Sequence, residues 1–104
     1  MDKYAWRAKV LPGKLEEYIR RHNKIWSEMT ETLNKAGIHN YSIWSNGDDL
    51  FGYFECKSLL FAQKILAEDP AAYRWREYMK DVMVAETDSE TNNSIGLIQV
   101  FNHE

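Results

Sequence analysis

The chain opens on strict alternation. Tyr4, Trp6, Ala8 and Val10 are interleaved with Ala5, Arg7 and Lys9, the period-two pattern of a half-buried strand. Pro12-Gly13 ends it. The period then changes. Leu15, Tyr18, Ile19, His22, Ile25, Trp26, Met29 and Leu33 follow helical spacing, which predicts one helix from about Lys14 to Ala36. Gly37 is the natural residue to end it, because glycine enters the left-handed region at little steric cost. A strand is expected over Ile38 to Ser45 and another over Leu50 to Lys57. Asn46-Gly47 between them is a tight-turn signal, with Asp48-Asp49 able to lengthen the loop, so the two strands form an antiparallel hairpin. Ser58 can cap a helix from Leu59 to about Glu68. Asp69-Pro70 punctuates the chain, and proline suits the first turn of a further helix through Ala71 to Met83. Glu86 to Ser94 is polar and without period, hence a loop, and Ile95 to Phe101 reads as the last strand.

The order β-α-β-β-α-β, with its second helical region split at Asp69-Pro70, is the ferredoxin-like arrangement of the α+β class. Four antiparallel strands have helices on one face only. The other face carries large apolar side chains and is left open, and an apolar surface of that size finds a partner. A homodimer packed through the open sheet face, as in dimeric α+β barrels, is the simplest solution. At 104 residues, the whole of 1–104 is expected to be a single domain.

Composition narrows the partners. Hydrophobic residues at 44% and charged residues at 28% are ordinary for a globular protein. The net charge is −3, and the one basic pair, Arg20-Arg21, is most simply a solvated helix face. Nucleic acid is not expected, because phosphate neutralisation needs clustered positive charge. Cys56 is the only cysteine, so an internal disulfide and multi-cysteine metal sites are excluded, and it reads as a small buried hydrophobe. No apolar run approaches the roughly 20 residues that span a bilayer. Met1 to Trp6 lacks the apolar centre of a signal peptide. The expected setting is cytoplasmic, with no membrane partner. Four Trp, six Tyr and four Phe are many rings for so small a core, which turns attention to a ring-lined pocket.

Tyr18 and His22 lie four positions apart, so a helix stacks them on the face that also carries Leu15, Trp26, Met29 and Leu33. A titratable pair aimed inward is either a hydrogen-bonded part of the core or the working part of a pocket. Tyr41, with His39 and Asn40 beside it, and Trp75 with Arg76 could face the same cavity between sheet and helices. Imidazole and phenols supply proton donors and acceptors that work near neutral pH. His22, His39 and His103 have no metal-ligand spacing. Glu16, Glu17, Glu28 and Glu31 read as the solvated face of the first helix, and there is no phosphate loop, dinucleotide fingerprint or nucleophile elbow. Trp6, Trp26 and Trp44 fit core positions. Trp75, in the aromatic-basic run Tyr73-Arg74-Trp75-Arg76-Glu77-Tyr78-Met79, offers an indole face to a sugar or an aromatic ligand.

Several of these segments together resemble the L-rhamnose mutarotase family: Glu17-Tyr18 through Trp26, His39-Asn40-Tyr41-Ser42-Ile43, Arg74-Trp75 with Tyr78-Met79, and Asp81-Val82-Met83. The similarity runs in order along nearly the whole chain. It implies a ferredoxin-like dimer that interconverts the α and β anomers of L-rhamnose without metal or cofactor. It implies that His22 is the proton donor, that Tyr18 and Tyr41 contact the sugar, and that Trp75 does so too. Relatives can carry a second tryptophan where this chain has Arg76, so one stacking surface is exchanged for a cation able to bind a hydroxyl. Two other readings fit the same fold: a cofactor-free monooxygenase, which needs a greasier pocket, and a non-catalytic small-ligand module.

Overall fold

A computed structural model describes residues 1–85 and 96–104. Over these, eight elements follow one another: β1 (Asp2–Val10), α1 (Leu15–Asn23), α2 (Ser27–Lys35), β2 (Ile38–Asn46), β3 (Asp49–Cys56), α3 (Leu59–Glu68), α4 (Pro70–Met79) and β4 (Met83–Ala85). The strands form an antiparallel sheet in the order β2-β3-β1-β4, which is the ferredoxin-like order expected. Helices cover one face. On it Trp6, Ala8 and Val10 of β1 and Leu50, Phe54 and Cys56 of β3 meet Tyr18, Met29, Ala62, Ala72, Trp75 and Met79 in one buried cluster. Cys56 is a buried free thiol within it, as its sequence setting suggested.

Two boundaries differ from the sequence reading. The helix expected over 14–36 is two helices, broken at Lys24 to Trp26, where Trp26 adopts an extended conformation (φ −63°, ψ 140°). The break carries the Trp26 ring onto α4, against Trp75 (centroids 5.1 Å apart) and Tyr78 (5.2 Å). Aromatic packing here overrides a helical periodicity that continues in the sequence. The last helix ends at Met79 instead of Met83, and Met83–Ala85 is the edge strand β4, paired with Val10 to Ala8. Arg21 accounts for the stop: its guanidinium donates to the Tyr78 carbonyl at 2.7 Å and to the Asp81 carboxylate at 2.8 Å, taking an end-of-helix carbonyl out of the helical ladder. The expected strand Ile95 to Phe101 is not formed over the residues seen. Gly96 makes a single bridge to Trp6, and Leu97 N–H donates to the Ala5 carbonyl at 2.7 Å. Beyond that the segment is exposed and outside the sheet. The loop expected over Glu86 to Ser94 lies outside the described residues, as does Ile95.

The caps follow the sequence. Ser58 accepts from the Phe61 N–H at 3.2 Å, and Pro70 opens α4. Asp69 accepts from the N–H groups of Ala71 and Ala72 and from the Thr32 hydroxyl (2.9 Å), so one carboxylate caps α4 and ties it to α2. Among the described residues no helix is long and apolar enough to cross a membrane.

Gly52 on β3 is the floor beneath Trp6. A Cβ there would penetrate the indole at Cε2, Cζ2 and Nε1. Gly52→Ala must therefore displace the largest ring of β1, and we expect a loss of about 2 kcal/mol, the usual scale for overpacking a core, read as a lowered urea midpoint. Asp69 gives a pH-dependent prediction. Desolvation pushes its carboxyl upward, but the hydrogen bonds from Thr32, Ala72 and Ala71 outweigh this and hold it below the usual range. A carboxyl lowered by folding stabilises the protein above its unfolded value, and that stability is lost as pH falls through the folded value. An asparagine in its place would keep a capping oxygen without the charge. The gap in urea midpoint between wild type and Asp69→Asn should thus be larger at neutral pH than well below pH ~3.9; an equal gap at both would contradict this account.

Candidate active site

Helix α1 places Tyr18 and His22 one turn apart, their ring centroids separated by 4.3 Å. His22 Nδ1 lies 3.0 Å from the Tyr18 carbonyl. A carbonyl oxygen can only accept, so Nδ1 carries the proton and Nε2 bears the lone pair of the neutral ring. Nε2 has no hydrogen-bond partner among the described residues. It is not sealed either, since no buried side-chain nitrogen or oxygen among them lacks a partner. Two adjoining cavities of about 570 and 600 Å³ open beside the imidazole, within the size range of small-molecule sites. Tyr18, His22, Tyr41, Ile43 and Trp75 line both. The histidine is thus a pocket residue and not a sealed core residue.

Tyr41 reaches this cavity through an irregularity in β2. The pairing of β2 with β3 shifts between His39 and Ser42, and Asn40 takes a positive φ of 52°. Two residues, Asn40 and Tyr41, stand opposite the single residue Phe54. After this bulge Tyr41 and Ile43 face the helices, as Ile38 does before it. The Tyr41 ring lies 5.3 Å from that of Phe54, and its hydroxyl accepts a hydrogen bond from Trp6 Nε1–H at 3.0 Å. Helix α4 supplies Trp75, whose ring meets His22 edge-on at 5.4 Å and Trp26 edge-on at 5.1 Å.

Burial sets the protonation states. Desolvation lowers His22 below the ordinary histidine value of 6.5, only partly offset by the bond to the Tyr18 carbonyl. Its resting form at neutral pH is the neutral imidazole. Desolvation pushes Tyr18 well above the ordinary phenol value, and pushes Tyr41 up to about 12 against the opposing Trp6 hydrogen bond. Both phenols keep their protons. Of the three, only the imidazole exchanges a proton near neutrality; the phenols hold and orient.

Of the residues singled out in the sequence, Tyr18, His22, Tyr41 and Trp75 come together. Arg76 lines the second cavity only, and its guanidinium is anchored on the Leu66 carbonyl at 3.0 Å. His39 and Asn40 do not join the cavity. They lie on the opposite face of the sheet, where Asn40 donates to Glu55 at 3.2 Å and the His39 ring stands 3.9 Å from the same carboxylate. Two contributors were missed. Trp6, assigned to the core, also holds the Tyr41 hydroxyl. Arg21, assigned to a solvated face, has its side chain only 10% exposed, lies over the Tyr78 ring at 4.2 Å, and braces α1 against the end of α4. The Glu17-to-Arg21 spacing, an i,i+4 ion pair, was the available signal that this side chain is held. Among the described residues no three His, Cys, Asp or Glu side chains group as metal ligands.

Known proteins resemble this chain along nearly all of its length. Residues 3–103 match the family model described as L-rhamnose mutarotase. The L-rhamnose mutarotase of Oceanobacillus iheyensis is 40% identical over 94 residues, covering 88% of each chain. That of Jannaschia sp. is 34% identical over 103 residues, covering 97% of each. A crystal structure of an L-rhamnose mutarotase from Formosa agariphila superimposes with a TM-score of 0.80 over the full length of both chains at 24% identity, a likeness of fold. With the family model matched over nearly its whole length, the chain belongs to the L-rhamnose mutarotase family.

Proposed function

We propose that this protein interconverts the α and β anomers of L-rhamnose by general acid–base catalysis centred on His22. Mutarotation opens the pyranose by breaking the bond between C1 and the ring oxygen. A proton leaves the anomeric hydroxyl as C1 becomes the aldehyde carbon, and a proton arrives on the ring oxygen. Rotation about C1–C2 and closure on the other aldehyde face complete the change. The net proton movement is from one oxygen on C1 to the other, with no redox change and no group transferred.

The observation that carries the reading is the presentation of His22: Nδ1 fixed on the Tyr18 carbonyl, Nε2 at the cavity. A neutral imidazole takes the anomeric proton on Nε2, becomes imidazolium, and delivers that proton to the ring oxygen. The same histidine is base and then acid, and it ends as it began. Both oxygens are bonded to C1, so one nitrogen serves both. Tyr18 and Tyr41, protonated throughout, hold sugar hydroxyls. Trp75 supplies an apolar wall for a C–H face of the ring, and Arg76 stands at the margin of the second cavity. Neither an oxygenase nor a non-catalytic module is favoured for a chain of this family. We place the enzyme in the cytoplasm, where the reduced state of the lone, buried Cys56 is maintained.

We further propose that two copies pair through the open sheet face. Support comes from Trp44, which the sequence reading put in the core but which is 68% exposed, beside its cross-strand neighbour Phe51, 39% exposed, both on the face without helices. Ile98, Val100 and Phe101 in the terminal segment add further exposed apolar surface.

The experiment for the reaction is exchange NMR between L-rhamnose anomers. His22→Gln should slow exchange by roughly 10²–10⁴-fold, the usual worth of a positioned acid–base group. In wild type, the neutral imidazole is the starting form, so activity should hold through neutrality and decline as pH falls through a value below about 6.5. Wild-type rates in the variant, or activity that declines as pH rises through 7, would remove His22 from this role. For the pairing, sedimentation of wild type should give a dimer that Trp44→Glu shifts towards monomer; an unaffected dimer would assign the interface elsewhere.

A further inference from the structure

Ile38 and Ile43 are five residues apart, yet both face the helices. In an uninterrupted strand an odd separation puts side chains on opposite faces. Their cross-strand partners, Cys56 and Gly52, are four apart. The extra residue is absorbed at Asn40–Tyr41, and only because of it does Tyr41 face the cavity instead of the open side.

The bulge rests on two physical supports. Asn40 sits at φ 52°, the single non-glycine residue with positive φ among those described. Asparagine enters that region more readily than other L residues, and β-branched residues essentially do not. The second support is a polar cluster on the open face. Asn40 Nδ2 donates to Glu55 Oε1 at 3.2 Å, while the Tyr53 hydroxyl donates to Oε2 at 2.7 Å. Those two donors, the Tyr53 hydroxyl first, hold the Glu55 carboxyl below its ordinary range, so the acceptor is charged at neutral pH. Glu55 is one position along β3 from Phe54, the residue the bulge straddles. The carboxylate thus grips the extra residue from behind the sheet while Trp6 holds the hydroxyl of the next residue in front of it.

We infer that Asn40 and Glu55 are positioning residues for the sugar site: from the face of the sheet opposite the cavity they hold the β2 bulge that aims Tyr41 inward. Neither touches the cavity. The inference rests on Tyr41 contacting the sugar, as proposed above.

The test separates backbone conformation from brace, with KM and kcat for L-rhamnose anomer exchange as one readout and the Trp6 indole N–H resonance as another that needs no sugar. Asn40→Val opposes the left-handed conformation. It should raise KM by roughly three- to tenfold, the scale of one lost hydrogen bond, with kcat less affected, and it should move the Trp6 signal as Tyr41 leaves it. Asn40→Gly accepts the conformation and removes only the amide. It should restore the Trp6 signal and most of the KM. Asn40→Gly and Glu55→Ala both delete the Asn40–Glu55 hydrogen bond, the second also releasing the Tyr53 hydroxyl, so adding Asn40→Gly to Glu55→Ala should make KM no worse than Glu55→Ala alone. An Asn40→Gly variant as impaired as Asn40→Val, a Trp6 signal unmoved in Asn40→Val, or additive effects in the double variant would each overturn the inference. Should Asn40→Val fail to fold, the Asn40→Gly and Glu55→Ala cycle decides alone. A wild type inactive on L-rhamnose would overturn the proposed function, while a Trp6 signal that still responds to Asn40→Val but not to Asn40→Gly would uphold the aiming of Tyr41.

Discussion

The hydrogen bond between His22 Nδ1 and the Tyr18 carbonyl, 3.0 Å long, is the constraint on which the site depends. It selects one of two imidazole tautomers and fixes the ring about its bond to the helix. With Nδ1 committed to the backbone, the lone pair can only be on Nε2, and Nε2 is at the cavity. The bond needs nothing from outside α1, because the carbonyl one turn earlier is supplied by the helix itself. What the rest of the fold contributes is the environment. The β2–β3 side brings the Tyr41 phenol to the same cavity, α4 sets the Trp75 indole edge-on to the imidazole, and the resulting burial disfavours the imidazolium. Desolvation and the carbonyl bond pull in opposite directions on the imidazole, and desolvation wins. The ring is left neutral at rest but still able to take a proton for the duration of a reaction step.

The parts of this arrangement legible in the sequence were those governed by local periodicity. Tyr18 and His22 could be placed on one inward face because α1 is regular over both. The cap at Ser58, the helix start at Pro70 and the Gly37 stop are equally local, and all three stand where the residues suggested. Tyr41 is the opposite case. Counting alternately from the buried Ile38 puts it on the open face; its place at a cavity was read from the ring-rich residues around it and from the family resemblance, not from the period of the strand. One left-handed asparagine reverses the count, and nothing in an isolated Asn distinguishes a bulge from a polar strand position. The same bulge explains why His39 and Asn40, adjacent to Tyr41 in sequence, stand on the other side of the sheet.

The remaining differences arise from tertiary contacts outweighing local preference. Residues 95–101 carry a stronger strand signature than Met83-Val84-Ala85, yet the shorter segment is β4. It follows directly on α4, whose end is set by Arg21 gripping the Tyr78 carbonyl and Asp81 from 57 and 60 residues away in sequence. No window-based reading sees that grip. The break between α1 and α2 has the same origin. Trp26 gives up a helical conformation to pack on Trp75 and Tyr78, and in doing so completes the aromatic wall behind His22.

Arg76 bears on what the cavity selects. As a replacement for an aromatic residue it suggested a cation available to a sugar hydroxyl. The structure anchors its guanidinium on the Leu66 carbonyl, so the charge is partly committed to the protein at the margin of one cavity. The groups lining both cavities are two protonated phenols, a neutral imidazole, Ile43 and Trp75, none of them charged at rest. Charged side chains, Arg76, Glu77 and Lys80, line the second cavity only, and a charged group desolvated against the five shared residues without a partner would cost several kcal/mol, on the order given for buried unpaired ions. A neutral monosaccharide avoids that cost. A deoxy sugar suits it further, because a methyl group against Ile43 or Trp75 gains contact where a hydroxyl would need a partner. The absence of charge on the shared wall follows from the same desolvation that lowers His22 and raises Tyr18 and Tyr41. The fit of that shared wall to the uncharged sugar proposed above and the neutral resting state of the imidazole therefore have one physical cause.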